Sequence, residues 1–304
     1  MNIDILVERA KIVSAIRRFF DERGFVEVET TVRIDAPAPE EHIDCPVVLG
    51  AASRGEMNPS DGRDVSYLRA SPELQMKKLL AAGMDRIYQI GPCFREGERG
   101  SRHNPEFTMI EWYRKGATYL DIKDDLVSLV SGLMSSREDF RRETKDASDG
   151  FATLAVRDAY RKYAGWDPWE GAWDQDRFDF DMATKIEPAI KALGGGVFLT
   201  DYPPQAASLA KLRGDVAERW EFYWDGMELA NCFTELCDRE EQLRRFEAAK
   251  AARQELGESD YPIDREFIAC LPQIGSAAGV ALGVDRLVMV LTKAKEISAV
   301  RAYI

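Results

Sequence analysis

Phe94-Arg95-Glu96-Gly97-Glu98-Arg99-Gly100-Ser101-Arg102-His103-Asn104-Pro105-Glu106-Phe107-Thr108-Met109-Ile110-Glu111-Trp112-Tyr113 is the stretch on which the reading of this 304-residue chain turns. Residues 86–91 and 107–114 read as strands, with a polar, glycine-containing loop between them. This pattern predicts a long hairpin with a charged loop. Arg95, Arg99, Arg102 and His103 need anionic partners wherever they turn inward, because an unpaired buried charge is costly. The planar fork of arginine suits phosphate oxygens. Any one of these residues alone would read as an ordinary solvated loop residue; the density of the cluster points to an anion site.

Two more segments extend the pattern. In Trp220-Glu221-Phe222-Tyr223-Trp224 and Glu228-Leu229-Ala230-Asn231-Cys232-Phe233-Thr234-Glu235, strand alternation puts Glu221 and Tyr223 on one face. It likewise groups Glu228, Ala230, Cys232 and Thr234. Carboxylates turned inward on such strands invite Mg²⁺ or an ammonium; turned outward they are surface charges. Gly279-Val280-Ala281-Leu282-Gly283-Val284-Asp285-Arg286-Leu287 runs as a strand of small residues into a helix with Arg286 in its first turn. Small residues let a flat ligand lie against the backbone, although Gly283 could equally ease strand packing.

The surrounding chain supplies a frame. Residues 5–23 carry apolar residues at helical spacing (Leu6, Ala10, Val13, Ile16, Phe19, Phe20) and stop at Gly24. Phe25, Val26 and Val28 then read as a strand. Residues 31–62 are rich in Pro, Ala, Glu and Asp, predicting a loop that holds His42 and one short strand at Val47–Leu49. Residues 67–70 resemble a strand, and Ser71-Pro72-Glu73 opens a helix with Ser at the cap and Pro in the first turn. Residues 115–197 read as a helical insertion or lid. Strands return at 197–200, 220–224, 228–233 and 280–282, and a last helix spans 285–291. We expect one α+β domain over residues 1–304, built on an antiparallel sheet flanked by helices.

Composition narrows the function. The chain has 41 Lys+Arg against 53 Asp+Glu, a net charge of −12, and a pI near 4.9. That balance is opposite to the basic footprint of a nucleic-acid binder. Five scattered cysteines lack zinc or disulfide-framework spacing and read as free thiols of a reducing cytoplasm. The N-terminus carries Asp4 and Glu8 and is no signal peptide, and no apolar run suits a membrane span.

Taken in order, these motifs resemble a known family. Phe94-Arg95 with Arg102-His103-Asn104-Pro105-Glu106-Phe107 looks like motif 2 of class II aminoacyl-tRNA synthetases in their lysyl form. Gly283-Val284-Asp285-Arg286 looks like motif 3, residues 228–235 are similar to the lysine-pocket strand, and residues 24–32 resemble motif 1, with Thr31 where the family usually has proline. Chain start near motif 1, without a preceding anticodon-binding domain, resembles the truncated relatives known as elongation factor P lysine ligases. So do Glu111-Trp112-Tyr113-Arg114 and Ala281, which stands where lysyl-tRNA synthetases carry glycine.

The resemblance implies a class II synthetase catalytic fold, ATP and Mg²⁺ as cofactors, and a homodimer whose edge includes residues 5–32. It implies that lysine or (R)-β-lysine is activated as an adenylate and passed to a lysine side chain of elongation factor P, with tRNA an unlikely partner. Arg95 would hold the α-phosphate, Arg102 and His103 the outer phosphates, and Arg286 the γ-phosphate. Glu221 and Glu228 would hold the metal. Asn104, Leu229 and Gly283 would seat the nucleotide and Phe107 stack on adenine. The family often has Glu at the position of Gly97, which leaves the adenine contact to Glu96, Glu98 or the backbone about Gly97. Glu235 and Tyr113 match the residues that receive the side-chain ammonium; Ser71, Pro72, Glu73, Glu111, Asn231 and Ala281 complete the amino-acid pocket. Competing expectations are a ligase of the asparagine-synthetase-like type, an adenylate-binding regulatory module, and aminoacylation of tRNA or another small acceptor.

Overall fold

The computed structural model describes residues 2–41, 43–50, 65–135 and 151–302. His42 and residues 51–64 of the expected loop lie outside the described residues. Helix α1 (Ile3–Asp21) is capped by Asn2, whose side chain accepts from the Asp4 and Ile5 amides. Ile12, Ile16 and Phe20, spaced four apart, form its buried stripe. Gly24 ends the turn at φ +72°, a conformation open to glycine at little cost. The short β1 (Val26–Glu27) follows, then β2 (Arg33–Ile34), β3 (Val47–Leu49) and β4 (Val65–Leu68), which form a small separate sheet in the order β2-β4-β3.

Helix α2 (Glu73–Ala81) opens one residue later than expected: Pro72 takes the cap position, while Ser71 Oγ still accepts from the Glu73 amide. The expected hairpin is present and longer than its apolar runs, as β5 (Arg86–Phe94) and β6 (Glu106–Lys115) pair from Arg86↔Arg114 to Phe94↔Glu106. After α3 (Tyr119–Ser135) comes β7 (Ala152–Ala155), then a mostly helical run containing α4 (Val156–Ala159), α5 (Gln175–Asp181) and α6 (Glu187–Leu193). β8 (Gly196–Tyr202), β9 (Leu212–Arg213), β10 (Val216–Trp224) and β11 (Met227–Thr234) return to sheet. Two helices that the sequence analysis leaves unmarked follow: α7 (Arg239–Leu256), which has little apolar periodicity, and α8 (Arg265–Ile274), whose Phe267, Ile268, Leu271 and Ile274 form a buried stripe; then come β12 (Ala277–Gly283) and α9 (Val284–Thr292).

The main sheet runs β1-β5-β6-β12-β11-β10-β8-β7, with β9 beside β10. Its central pairs are antiparallel; only the β1/β5 and β7/β8 pairs at the two ends are parallel. This is the α+β, antiparallel-dominated arrangement that the sequence predicts. One face, carrying Ile110, Trp112, Phe222, Cys232, Val280 and Leu282, packs on α1, α3 and α9 as the largest core. α3 therefore belongs to the main core, β7 extends the sheet, and the helices of residues 156–193 pack on β8 and β10 in a second cluster. The opposite face of the sheet's centre holds the candidate site. Among the described residues no helix is long and apolar enough to cross a membrane, and all five cysteines are free thiols.

Candidate active site

On β6, strand alternation sends Ile110 and Trp112 into the core and Phe107, Met109, Glu111 and Tyr113 into a cavity of about 450 Å³. β12 mirrors it with Gly279, Ala281 and Gly283. β11 departs from simple alternation. Its register with β10 shifts between Phe222 and Tyr223, so that Phe222 faces Ala230 while Tyr223 faces Glu228. Leu229 is the extra residue. The bulge flips the phase of the strand, bringing Glu228 to the cavity with Asn231, Phe233 and Glu235, whereas Ala230 and Cys232 pack in the core. The expected grouping of Glu228 with Ala230, Cys232 and Thr234 is thereby corrected, since one inserted residue reverses every side chain beyond it.

One end of the cavity is cationic. Arg95, Arg102, His103 and Arg286 line it together with Asn104 and Phe107. Arg286 Nη1 donates to the Glu228 carbonyl at 2.8 Å and Nε to the Arg102 carbonyl at 3.3 Å, while Nη2 lies 2.6 Å from His103 Nε2. The guanidinium is thus aimed by neutral backbone oxygens; the Glu228 carboxylate stands 4.0 Å away. Burial, and then Arg286, lower the pKa of His103. Arg95 lies 5.2 Å from the Phe107 ring centroid and 3.6 Å from Glu98, and its buried Nε has no partner.

The other end is anionic. Glu73, Glu111 and Glu235 converge there with Ser71 and Tyr113. The Tyr113 hydroxyl donates to Glu111 Oε1, and Glu111 Oε2 is buried with no hydrogen-bond partner. Burial raises Glu111 to about 8, helped by Glu73, and burial likewise raises Glu235 to about 8. Ala281 stands between the two ends, facing Glu111 on one neighbouring strand and Asn231 on the other. From Phe107 to Tyr113, β6 spans about 20 Å, room for a nucleotide joined to an extended amino acid.

Between the ends, Glu221 is held by Arg219 Nη2 at 2.5 Å and by the Tyr223 hydroxyl at 2.6 Å. Glu228, raised to about 7 by burial and by Glu221, is the more open carboxylate. Pro72, Glu96 and Gly97 do not line the cavity. Gly97 has φ +75°, a turn conformation that a glutamate would strain, and Glu98 reaches the cavity instead.

Several lining or supporting residues escaped the sequence reading. Arg219 also donates to Asn231 Oδ1 at 3.2 Å, joining the Glu221 and Asn231 positions; its place two before Glu221 on the same strand face was the available signal. Lys77, buried beside Glu73 and Glu235, sits one helical turn after Glu73. Glu40 has no local signal: it reaches the cavity because Arg253, fully buried on α7, donates to the Glu40 and Ile43 carbonyls and to Asp44.

This site geometry has relatives. The family description for tRNA synthetases class II (D, K and N) matches residues 2–304. The chain is 37% identical to the elongation factor P–(R)-β-lysine ligase of Proteus mirabilis strain HI4320, over 99% of this chain and 95% of that one. It is 35% identical to the protein of that name from Actinobacillus succinogenes, with the same coverages, and 37% identical to that of Photorhabdus laumondii, over 98% and 94%. Full-length matches of this kind, on a sheet that presents the motif 2 and motif 3 residues to one cavity, mean that the chain belongs to the class II tRNA synthetases of the D, K and N type and, among them, to the elongation factor P–(R)-β-lysine ligase family.

Proposed function

We propose that this protein activates (R)-β-lysine or lysine with ATP and transfers it to a lysine side chain of elongation factor P, the acceptor named for its relatives. The observation that carries this reading is the polarity of a single cavity. Phosphate-suited cations (Arg95, Arg102, Arg286) occupy one end and ammonium-suited carboxylates (Glu73, Glu111, Glu235) the other. An ammonium donating to Glu111 Oε2 satisfies an acceptor that otherwise carries a desolvation penalty.

In the first step a substrate carboxylate oxygen attacks the α-phosphorus, and the α–β phosphoanhydride bond breaks with departure of pyrophosphate. Nothing in that step needs a nucleophile from the protein; it needs alignment and charge neutralisation. Arg95 meets the α-phosphate, Arg286 the γ-phosphate, and His103 and Arg102 the outer oxygens. Phe107 supports the base, with Asn104, Leu229 and Gly283 around the nucleotide and Glu98 facing its rim. Glu228 and Glu221 fit Mg²⁺, which neutralises phosphate charge when bound. Such a hard cation commonly takes one or two carboxylates and completes its shell with phosphate oxygens and water. In the second step the acceptor amine attacks the carbonyl, AMP leaves, and the amine loses a proton.

The net charge of −12 disfavours a large polyanion such as tRNA as the acceptor. We place the protein in a reducing cytoplasm, on five scattered cysteines that lack disulfide-framework spacing. The test is pyrophosphate exchange with lysine, (R)-β-lysine and other amino acids, followed by intact-mass analysis of elongation factor P. A gain of one lysyl-sized mass is expected. Efficient esterification of tRNA with elongation factor P unmodified would replace this reading with that of a tRNA synthetase.

A further inference from the structure

Lys77 sits on the buried side of α2 and is 2 % exposed. Its ammonium donates to Glu73 Oε1 at 2.5 Å and pairs with Glu235 Oε2. It does not line the cavity; it stands behind two carboxylates that do. Packing alone gives no reason for it, because Leu74, Met76 and Leu80 already anchor α2, and burying an ammonium carries a large desolvation cost.

Charge counting supplies a reason. Glu73, Glu111 and Glu235, when ionised, bring three negative charges to one buried end of the cavity, and Lys77 offsets one. Glu40, the next carboxyl within reach of Glu73, also feels Arg95 and Arg219. Two negative charges remain, and Glu111 Oε2 still lacks a donor. Resting on the amino-acid reading above, we propose that Lys77 is a positioning residue for substrate selection. It fixes Glu73 and Glu235 as ammonium acceptors and leaves the ionised pocket short of two positive charges, so that an amino acid with two ammonium groups balances it, whereas with a single ammonium one carboxyl has to stay protonated.

The experiment is charge-specific rescue. Lys77→Ala removes the equivalent of propylammonium and leaves room for it. In pyrophosphate exchange with whichever of lysine and (R)-β-lysine the wild type activates, Lys77→Ala should lose roughly tenfold or more in kcat/KM, mainly through KM. Added propylammonium should restore much of the loss, while propanol of matching size should not. Should Lys77→Ala fail to fold, Lys77→Arg, which keeps the charge, should retain more activity than Lys77→Met, which keeps the length alone. Equal rescue by propanol, no rescue by propylammonium in a folded variant, or equal activity of the Arg and Met variants would overturn the proposal. A wild-type protein that activates neither amino acid would instead overturn the functional reading on which it rests.

Discussion

Arg95 and Arg286 keep their charges available: one has an unpartnered Nε, and the other is steered by carbonyls. We expect Arg95→Ala or Arg286→Ala to lower pyrophosphate exchange by about two orders of magnitude or more, as for loss of a charge-stabilising donor. Thermal unfolding should change little, since neither side chain closes a buried ion pair. Exchange within a small factor of wild type in both would refute the phosphate assignment. Ala281 poses a steric question at the same scale. Its methyl lies between Glu111 and Asn231, where the resembling tRNA synthetases have glycine. A difference of one methyl group is worth about 1–3 kcal/mol of discrimination. Ala281→Gly should therefore move preference from β-lysine toward α-lysine by roughly tenfold, read as the ratio of kcat/KM values. An unchanged ratio would remove Ala281 from the pocket's selectivity.

At the scale of elements, the β6/β12 pair is fitted around an absent side chain. A Cβ built at Gly279 would run into the Tyr113 ring across the strands. Gly279→Ala should displace Tyr113, destabilise the protein by about 1–3 kcal/mol and raise KM for the amino acid far more than KM for ATP. Equal effects on both constants would place the damage elsewhere. Glu111 of β6 and Glu235, just past the end of β11, form a proton switch. Glu111 and Glu235 titrate near 8 because they are buried, against an ordinary value of about 4.3. Carboxyls raised in this way favour the folded, ligand-free state while protonated; their contribution is complete below the ordinary carboxylate range and is lost as pH rises through about 8. Substrate ammonium groups favour the ionised forms, so binding near neutral pH should release protons and the amino-acid KM should rise as pH falls below about 8. Titration calorimetry in buffers of different ionisation heat reads the proton count directly; proton uptake would contradict the pairing.

For the whole molecule, Asp285 ties both ends of the chain to the site. Buried at 1 % exposure, it pairs with Arg9 of α1 at 2.5 Å and with Arg301 at 3.1 Å, and accepts from the Thr108 amide at 2.9 Å. Asp285→Ala removes the carboxylate shared by two cations and an amide, leaving Arg301 only Glu106 and Arg9 only neutral oxygens, and should cost about 3 kcal/mol in chemical denaturation. Ile3 and Val7 of α1 and Val26 of the edge strand β1 are exposed, on the side that the family resemblance assigns to a homodimer. Exposed apolar side chains and an unpaired strand edge invite a symmetric partner. Light scattering should give about twice the 34.3 kDa chain mass at micromolar concentration. A persistent monomer would refute the dimer.

What the sequence determined by itself was local and periodic. The apolar stripe of α1, the Ser71-Pro72-Glu73 helix start, the β5/β6 hairpin and the small-residue run of β12 are written in nearest-neighbour chemistry, and the ordered motifs then select the family. Tertiary structure decided what depends on partners far apart in the chain. The bulge at Leu229 reversed the phase of β11, which strict alternation cannot foresee. Lys77 acquired its meaning only when Glu235 was folded against it, and Glu40 reached the cavity through an arginine more than 200 positions away. α7 escaped notice because charged residues dominate it and only Leu243 and Phe246 reach the core; it is held by capping at Asp238 and by contacts such as Arg253 rather than by a broad apolar stripe. Burial is a property of the assembled fold, so the raised carboxyls of Glu111, Glu228 and Glu235, and with them the charge balance of the site, came into existence only when the sheet closed over them.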